Sequence, residues 1–141
     1  QLSFGVPICF EVIFPDLVRR MAKEGANFLV TLTNDAWFGN STGPRQHFQQ
    51  ALVRSVEEGL PMVRAANAGI SAVIDPYGRV VSFMGIGHRG VFDSKLPKVV
   101  QKTVFARHGL APLLIIIIII NGLIYIQFRE WKSGIDSRIL L

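Results

Sequence analysis

The sequence holds a single cysteine in 141 residues, so no disulfide can close within the chain. It has no C-x-x-C pair. Its three histidines, His47, His88 and His108, stand far apart, so neither zinc nor any other metal is expected as a cofactor. Charged residues are scarce at 18%, and no basic run is longer than Arg19-Arg20. A net charge of +5 spread this thinly gives a solvated surface, and no nucleic-acid partner is expected. No internal repeat is visible. Nothing resembling a leader precedes the first apolar run, which begins at Leu2 directly after Gln1, so the chain reads as the downstream piece of a longer protein.

What is present is apolar. Half of the residues are hydrophobic, enough for one domain with a core. Residues 1–98 read as an α/β domain. Leu2 to Ile8 is a strand-like run ending at Cys9. Pro15 and Asp16 suit the first turn of a helix whose apolar positions are Leu17, Val18, Met21 and Ala22, with Gly25 as its stop. Phe28 to Thr33 has the continuous apolar character of a strand buried on both faces. Strand, helix and strand at this spacing form a βαβ unit, so both strands end on the same edge of a sheet, where open α/β folds place their ligands. Cys9 to Glu11 and Asn34 to Gly39 therefore converge on one rim.

A second helix is expected after the turn-rich stretch Asn40 to Pro44, with Phe48, Ala51, Leu52 and Val56 inward and Gly59 as its end. Gln46 and His47 open that helix, where His47 suits capping or packing. Pro61 to Ala66 and Ile70 to Ile74 read as strands, and Asp75-Pro76-Tyr77-Gly78 as the turn into Val80 to Phe83. Val91 to Leu96 would add one more strand, and Arg64 would pair with Glu57 or Glu58.

The composition then changes. Residues 99–109 form a linker. From Leu110 to Ile126 every residue but Asn121 is apolar or glycine or proline, and Ile115 to Ile120 are consecutive isoleucines. A helix of this length spans about 25 Å against a bilayer core of about 30 Å. Arg107 and Arg129 can reach outward from its ends, and Tyr125 and Trp131 suit the interface. A buried core helix or an isoleucine-rich strand is the competing reading. Basic residues at both ends favour a membrane span over 110–128 with a polar tail over 129–141.

Cys9 is the residue on which chemistry would turn. A thiol where a strand gives way to a helix faces the helix N-terminus, which favours thiolate. The backbone N–H groups that follow are placed to stabilise an oxyanion. Glu11, two residues on, is a candidate for positioning a proton or a lysine beside that thiol. Trp37 and Phe38 suit the wall of an apolar substrate pocket. Asn34 and Asp35 suit hydrogen bonding to loop backbone.

Gly5-Val6-Pro7-Ile8-Cys9-Phe10-Glu11 followed by Phe14-Pro15 resembles the nucleophile segment of the nitrilase, or carbon–nitrogen hydrolase, superfamily. Thr33-Asn34-Asp35-Ala36-Trp37-Phe38-Gly39, Gly43-Pro44-Arg45-Gln46-His47, Arg64 to Ser71 and Asp75-Pro76-Tyr77-Gly78 resemble one branch of it, the apolipoprotein N-acyltransferases. The resemblance implies the C-terminal part of an αββα sandwich followed by one C-terminal transmembrane helix. It also implies a Glu-Lys-Cys triad in which Cys9 is the nucleophile, with the Glu and Lys upstream of Gln1. Glu11 falls on the acidic residue of a Cys-Tyr-Glu motif, and Phe10 stands where Tyr is usual. By the same resemblance Phe10, Trp37 and Phe38 face substrate. The acyl donor is a membrane phospholipid, the acceptor is a diacylglyceryl-cysteine apolipoprotein, no cofactor takes part, and the catalytic domain is periplasmic on a multi-pass inner-membrane protein.

Two other functions fit parts of the sequence. One is an amidase or nitrilase using the same cysteine on small amides. The other is an inactive membrane-tethered domain. Residues 1–141 alone are expected to be inactive because the implied base and lysine are missing. Acyl transfer measured with that chain by itself would refute this.

Overall fold

The computed structural model describes the backbone of residues 2–139 and the side chains of residues 2–129 and of Trp131. The charged tail residues beyond Arg129 thus lie outside the described side chains. The chain divides into two compact units, Gln1–Arg107 and His108–Leu141.

The first unit is built on a five-stranded sheet of order β1-β2-β3-β4-β5. The strands are β1 Phe4–Gly5, β2 Phe28–Asn34, β3 Met62–Asn67, β4 Ser71–Ile74 and β5 Val80–Met84. Helix α1, Pro15–Lys23, links β1 to β2, and helix α2, Gly43–Glu58, links β2 to β3. These crossovers make β1, β2 and β3 parallel, as the βαβ pattern requires, whereas tight turns make β3, β4 and β5 antiparallel. The first strand is shorter than its apolar run. Pro7 has no N–H to give a ladder, and pairing resumes only at one bridge, Ile8 to Leu32.

The turn into β5 is fixed by Asp75, whose carboxylate accepts hydrogen bonds from the N–H groups of Tyr77 and Arg79, both at 2.9 Å. Its other oxygen takes Arg79 Nε at 2.6 Å. Those donors overcome burial and hold the carboxyl below its ordinary pKa.

Helices α1 and α2 share one core with the sheet: Val12, Val18, Phe48, Ala51, Leu29, Met62, Ala72 and Ile74. Alternation along β2 buries Leu29 and Thr31 and turns Leu32 outward, half exposed like its bridge partner Ile8 and like Phe4 further along β1. The face of the sheet away from the helices is therefore apolar and open near β1 and β2. Val91 to Leu96 form no strand. The segment instead lines, with Val63, Ala65 and Val73, a cleft of about 410 Å³ and makes no ladder with the sheet.

The inward face of α2 also differs from expectation. Val56 is exposed, and Arg54, Ser55 and Glu58 are buried in its place. The apolar stripe thus ends at Leu52, because the last turn packs under residues 99–106. That strap ends in helix α3, Val104–His108. Arg19 fastens it, donating from Nε to the Ala106 carbonyl at 3.4 Å and from Nη2 to the Arg107 carbonyl at 3.0 Å.

The second unit contains helix α4, Ala111–Ile139. Its stretch Ala111–Arg129 is long and apolar enough to cross a membrane, and none of it is buried within the protein. Asn121 Nδ2 donates to the Ile117 carbonyl at 2.7 Å, so its polar group is partly satisfied inside its own helix.

Glu58 is buried, and neither carboxylate oxygen has a hydrogen-bond partner among the described residues. Burial raises its pKa, against the nearby charges of Arg19, Arg54 and Lys23. The folded protein therefore holds that proton more tightly than the unfolded chain does. The resulting stability is present below the ordinary glutamate pKa and is lost as pH rises through the raised value. Glu58→Gln is expected to raise the melting temperature at pH ~7 and to leave it nearly unchanged at pH ~4. Equal effects at the two pH values would show that ionisation at this site is not what matters.

Candidate functional site

The site forms where β1 and β2 end side by side. After the Ile8 bridge the chain turns sharply, and Cys9 sits at φ 50°, in the left-handed region. For a residue with a Cβ this costs about 1–3 kcal/mol, so the surroundings must hold it. A 3₁₀ turn, Cys9–Ile13, follows and precedes α1, which begins at Pro15 as the sequence suggests. Glu11 stabilises the turn: its N–H donates to the Ile8 carbonyl at 3.0 Å, and its carboxylate Oε2 accepts from the Ile8 N–H at 2.7 Å. Both sides of the Ile8 peptide are thereby fixed just before the thiol.

The sulfur faces donors. Thr33 Oγ1 lies 3.4 Å from Cys9 Sγ, and the nearby backbone N–H groups of Asn34 and Phe10 also lower the thiol pKa. The Thr33 hydroxyl is the largest influence lowering the thiol pKa. Burial and the charge of Asp35 oppose it, and the net shift is downward. Hydrogen bonding to sulfur is thus what favours the thiolate here.

Behind Thr33 is a buried polar cluster. Asp35 is 1% exposed, in contrast to the loop-facing position its sequence suggests. Arg64 Nη2 donates to Asp35 Oδ2 at 2.9 Å, and His47 Nδ1 lies 2.9 Å from Oδ1. Arg64 therefore pairs with Asp35 and not with Glu57 or Glu58; Glu57 faces Arg54 at 3.0 Å. The register explains this. Arg64 alternates inward with Met62 on β3, opposite Thr31 of β2, which sends its side chain to the buried end of that strand. Burial lowers the Arg64 pKa while Asp35 raises it, and the guanidinium remains charged. Gly69 leaves room for the carboxylate, since a Cβ there would collide with Asp35 Oδ2.

His47 is buried in the first half of α2 and is not a cap. Its Nε2 lies 3.2 Å from the carbonyl oxygen of Cys9, so the ring bridges Asp35 to the strained residue itself. Asn34 behaves as expected: its side-chain oxygen accepts from the Ala36 N–H and from Asn67 Nδ2, both at 3.1 Å.

Aromatic rings surround this point. Phe10 stands 6.2 Å from Trp37 and 5.9 Å from His47, and Phe38 stands 4.5 Å from Trp37. Phe10, Ile13 and Phe38 line an open cleft of about 390 Å³ with Gln46, His47 and Gln50. Trp37 remains 66% exposed. The structure thus brings Cys9, Glu11, Phe10, Trp37 and Phe38 together at one rim. Sequence reasoning missed the roles of Thr33, His47 and Arg64. For Thr33 a signal existed: parallel pairing of the two strand ends sets the residue after Leu32 beside the residue after Ile8.

Residues 1–103 match the model of the carbon–nitrogen hydrolase family. The chain is 48% identical over 122 residues to an apolipoprotein N-acyltransferase of Rhodopseudomonas palustris, covering 86% of this chain and 23% of that protein. Against the apolipoprotein N-acyltransferase of Rickettsia bellii it is 46% identical over 132 residues, covering 93% and 26%. The chain thus spans about a quarter of the length of these curated relatives. Among solved structures, an amidase from Nesterenkonia sp. superposes with a TM-score of 0.51 at 27% identity, over 59% of this chain and 34% of that one. A nitrilase-superfamily protein of Saccharomyces cerevisiae gives 0.50 at 28% identity, over 61% and 34%. A variant of the Nesterenkonia amidase carries the acetamide moiety of fluoroacetamide covalently at its active-site cysteine.

Removing the buried carboxylate leaves Arg64 charged and unpaired. Asp35→Ala is expected to lower the unfolding free energy by about 3–5 kcal/mol, read from urea unfolding followed by tryptophan fluorescence. A loss below about 1 kcal/mol would mean that the cluster does not hold the rim together.

Proposed function

We propose, for a chain that belongs to the carbon–nitrogen hydrolase family, that it is part of an N-acyltransferase that moves an acyl chain from a membrane phospholipid to the terminal amine of a diacylglyceryl-cysteine lipoprotein. The observation that carries the reading is the strained Cys9, whose sulfur faces hydrogen-bond donors beside an aromatic cleft. The identity to proteins named for this activity and the apolar stretch Ala111–Arg129 support it.

In this reading Cys9 Sγ attacks the ester carbonyl carbon of the phospholipid. The C–O bond breaks, the lysophospholipid leaves with a proton, and a thioester remains on Cys9. The lipoprotein amine then attacks the thioester carbon, the C–S bond breaks, the amine gives up a proton, and the thiolate returns. The proton carriers are the Glu and Lys that the family resemblance places upstream of Gln1. Glu11 holds the Ile8 peptide and so positions the nucleophile. Phe10 and Phe38 are the apolar wall for the acyl chain, and Trp37 is its exposed rim. An apolar wall also keeps water from the thioester.

The same reading assigns residues 1–98 to the catalytic domain, 99–109 to a linker, 110–128 to the membrane span and 129–141 to a polar tail. It sets the catalytic domain on the periplasmic side of a multi-pass inner-membrane protein. Both substrates are lipids, so a membrane anchor keeps enzyme and substrates in one plane.

In the full-length protein, Cys9→Ala is expected to reduce transfer from phospholipid to a lipopeptide at least about 10³-fold. The unsubstituted protein, given phospholipid alone, should carry an acyl mass on the peptide containing Cys9. Transfer that survives Cys9→Ala would overturn the proposal. Ammonia release from small amides without acyl transfer would favour an amidase.

A further inference from the structure

The Thr33 hydroxyl stands between two acceptors. Its Oγ1 is 3.4 Å from Cys9 Sγ and 3.1 Å from Asp35 Oδ1. A hydroxyl has one proton, so it donates to one of them at a time. The other contact needs a proton from elsewhere or a rotation of the hydroxyl. A thiol can supply one: S–H donates to Thr33 Oγ1 while Thr33 O–H donates to Asp35. A thiolate cannot, and then the hydroxyl proton is needed at sulfur.

We propose that Thr33 is a positioning residue for Cys9, a hydrogen-bond switch whose proton serves Asp35 while Cys9 is a thiol and turns to sulfur when Cys9 becomes a thiolate. No covalent bond of Thr33 changes. The S–H bond breaks, its proton passes to a carboxylate or buffer base, and the sulfur keeps the electron pair. The hydroxyl then rotates about its Cβ–Oγ1 bond.

Asp35 can release this donor because Arg64 donates to its Oδ2 at 2.9 Å, and His47 Nδ1, 2.9 Å from its Oδ1, donates there as well in the Nδ1–H tautomer. The charged and titratable groups around the switch are Asp35 after β2, His47 from α2, Arg64 from β3 and Glu11 in the turn of Cys9 itself. Of these, Asp35 opposes thiolate formation, Arg64 interacts favourably with it, and His47 and Glu11 are engaged with main-chain groups on either side of the sulfur. Thr33 is half-buried on a paired strand, so its position is set by the sheet and not by the substrate. The switch bears on the proposed nucleophile, but its test does not depend on acyl transfer.

Alkylation by iodoacetamide is read on the peptide that contains Cys9, the single cysteine of these 141 residues. The rate, followed by mass spectrometry across pH in detergent, gives the midpoint of thiolate formation. The parent midpoint is expected below the ordinary thiol value of about 8.5. Thr33→Val and Thr33→Ala remove the hydroxyl and should raise the midpoint by about one pH unit, with about tenfold slower alkylation near neutral pH. Thr33→Ser restores the hydroxyl and should return the rate to within about twofold of the parent. A parent midpoint at or above the ordinary value overturns the proposal whether or not the variants fold. So does an unmoved midpoint in folded Thr33→Val or Thr33→Ala, or a Thr33→Ser protein as slow as Thr33→Val. If these shifts appear while full-length Cys9→Ala still transfers acyl groups, the switch stands and the acyltransferase reading fails.

Discussion

A carboxylate removed from water must be met by donors on every side, and Asp35 is met by residues from three different elements. Arg64 reaches it from β3, His47 from α2 and Thr33 from the end of β2. Each of those residues also makes a second contact: Arg64 to the Ile70 carbonyl, His47 to the Cys9 carbonyl and Thr33 to the Cys9 sulfur. A buried ion pair of this kind adds little net stability over a well-packed apolar cluster. What it imposes is geometry, because each partner must stand within hydrogen-bonding distance of the same carboxylate.

That geometry bears directly on the strained turn. Cys9 at φ 50° has an unfavourable backbone, and nothing local to its own sequence compensates except the Glu11 bond to Ile8. The remaining hold comes from across the sheet, through Thr33 at the sulfur and His47 at the carbonyl. Short-range and long-range contacts thus fix the two ends of one residue. An exposed thiol on a flexible loop would have neither.

The sheet edge was legible in the sequence because two apolar runs separated by a helix leave little choice of topology. Cys9 and the Asn34–Gly39 segment were placed on one rim by that argument alone. The pairings behind the rim were not legible. Asp35 follows a strand and precedes a turn, which is the usual setting of a solvated loop aspartate, and only the inward alternation of Arg64 makes it a buried ion. The glutamates near Arg64 in sequence were the nearer partners on paper, but α2 carries them to its far end. Pro7 shortened a strand that its apolar neighbours had extended. Val91 to Leu96 has strand composition but pairs with no strand, and it lines a cleft beside the sheet instead.

The isoleucine run of α4 carries a different consequence. Branching at Cβ leaves each of Ile115–Ile120 one main rotamer in a helix, so holding this segment helical costs side-chain entropy. In water the same branching favours extended pairing, and a proline-free stretch of six such residues has the makings of a dry zipper between chains. The helical state of Ala111–Arg129, long and apolar enough to cross a membrane, is what keeps these side chains out of such pairing.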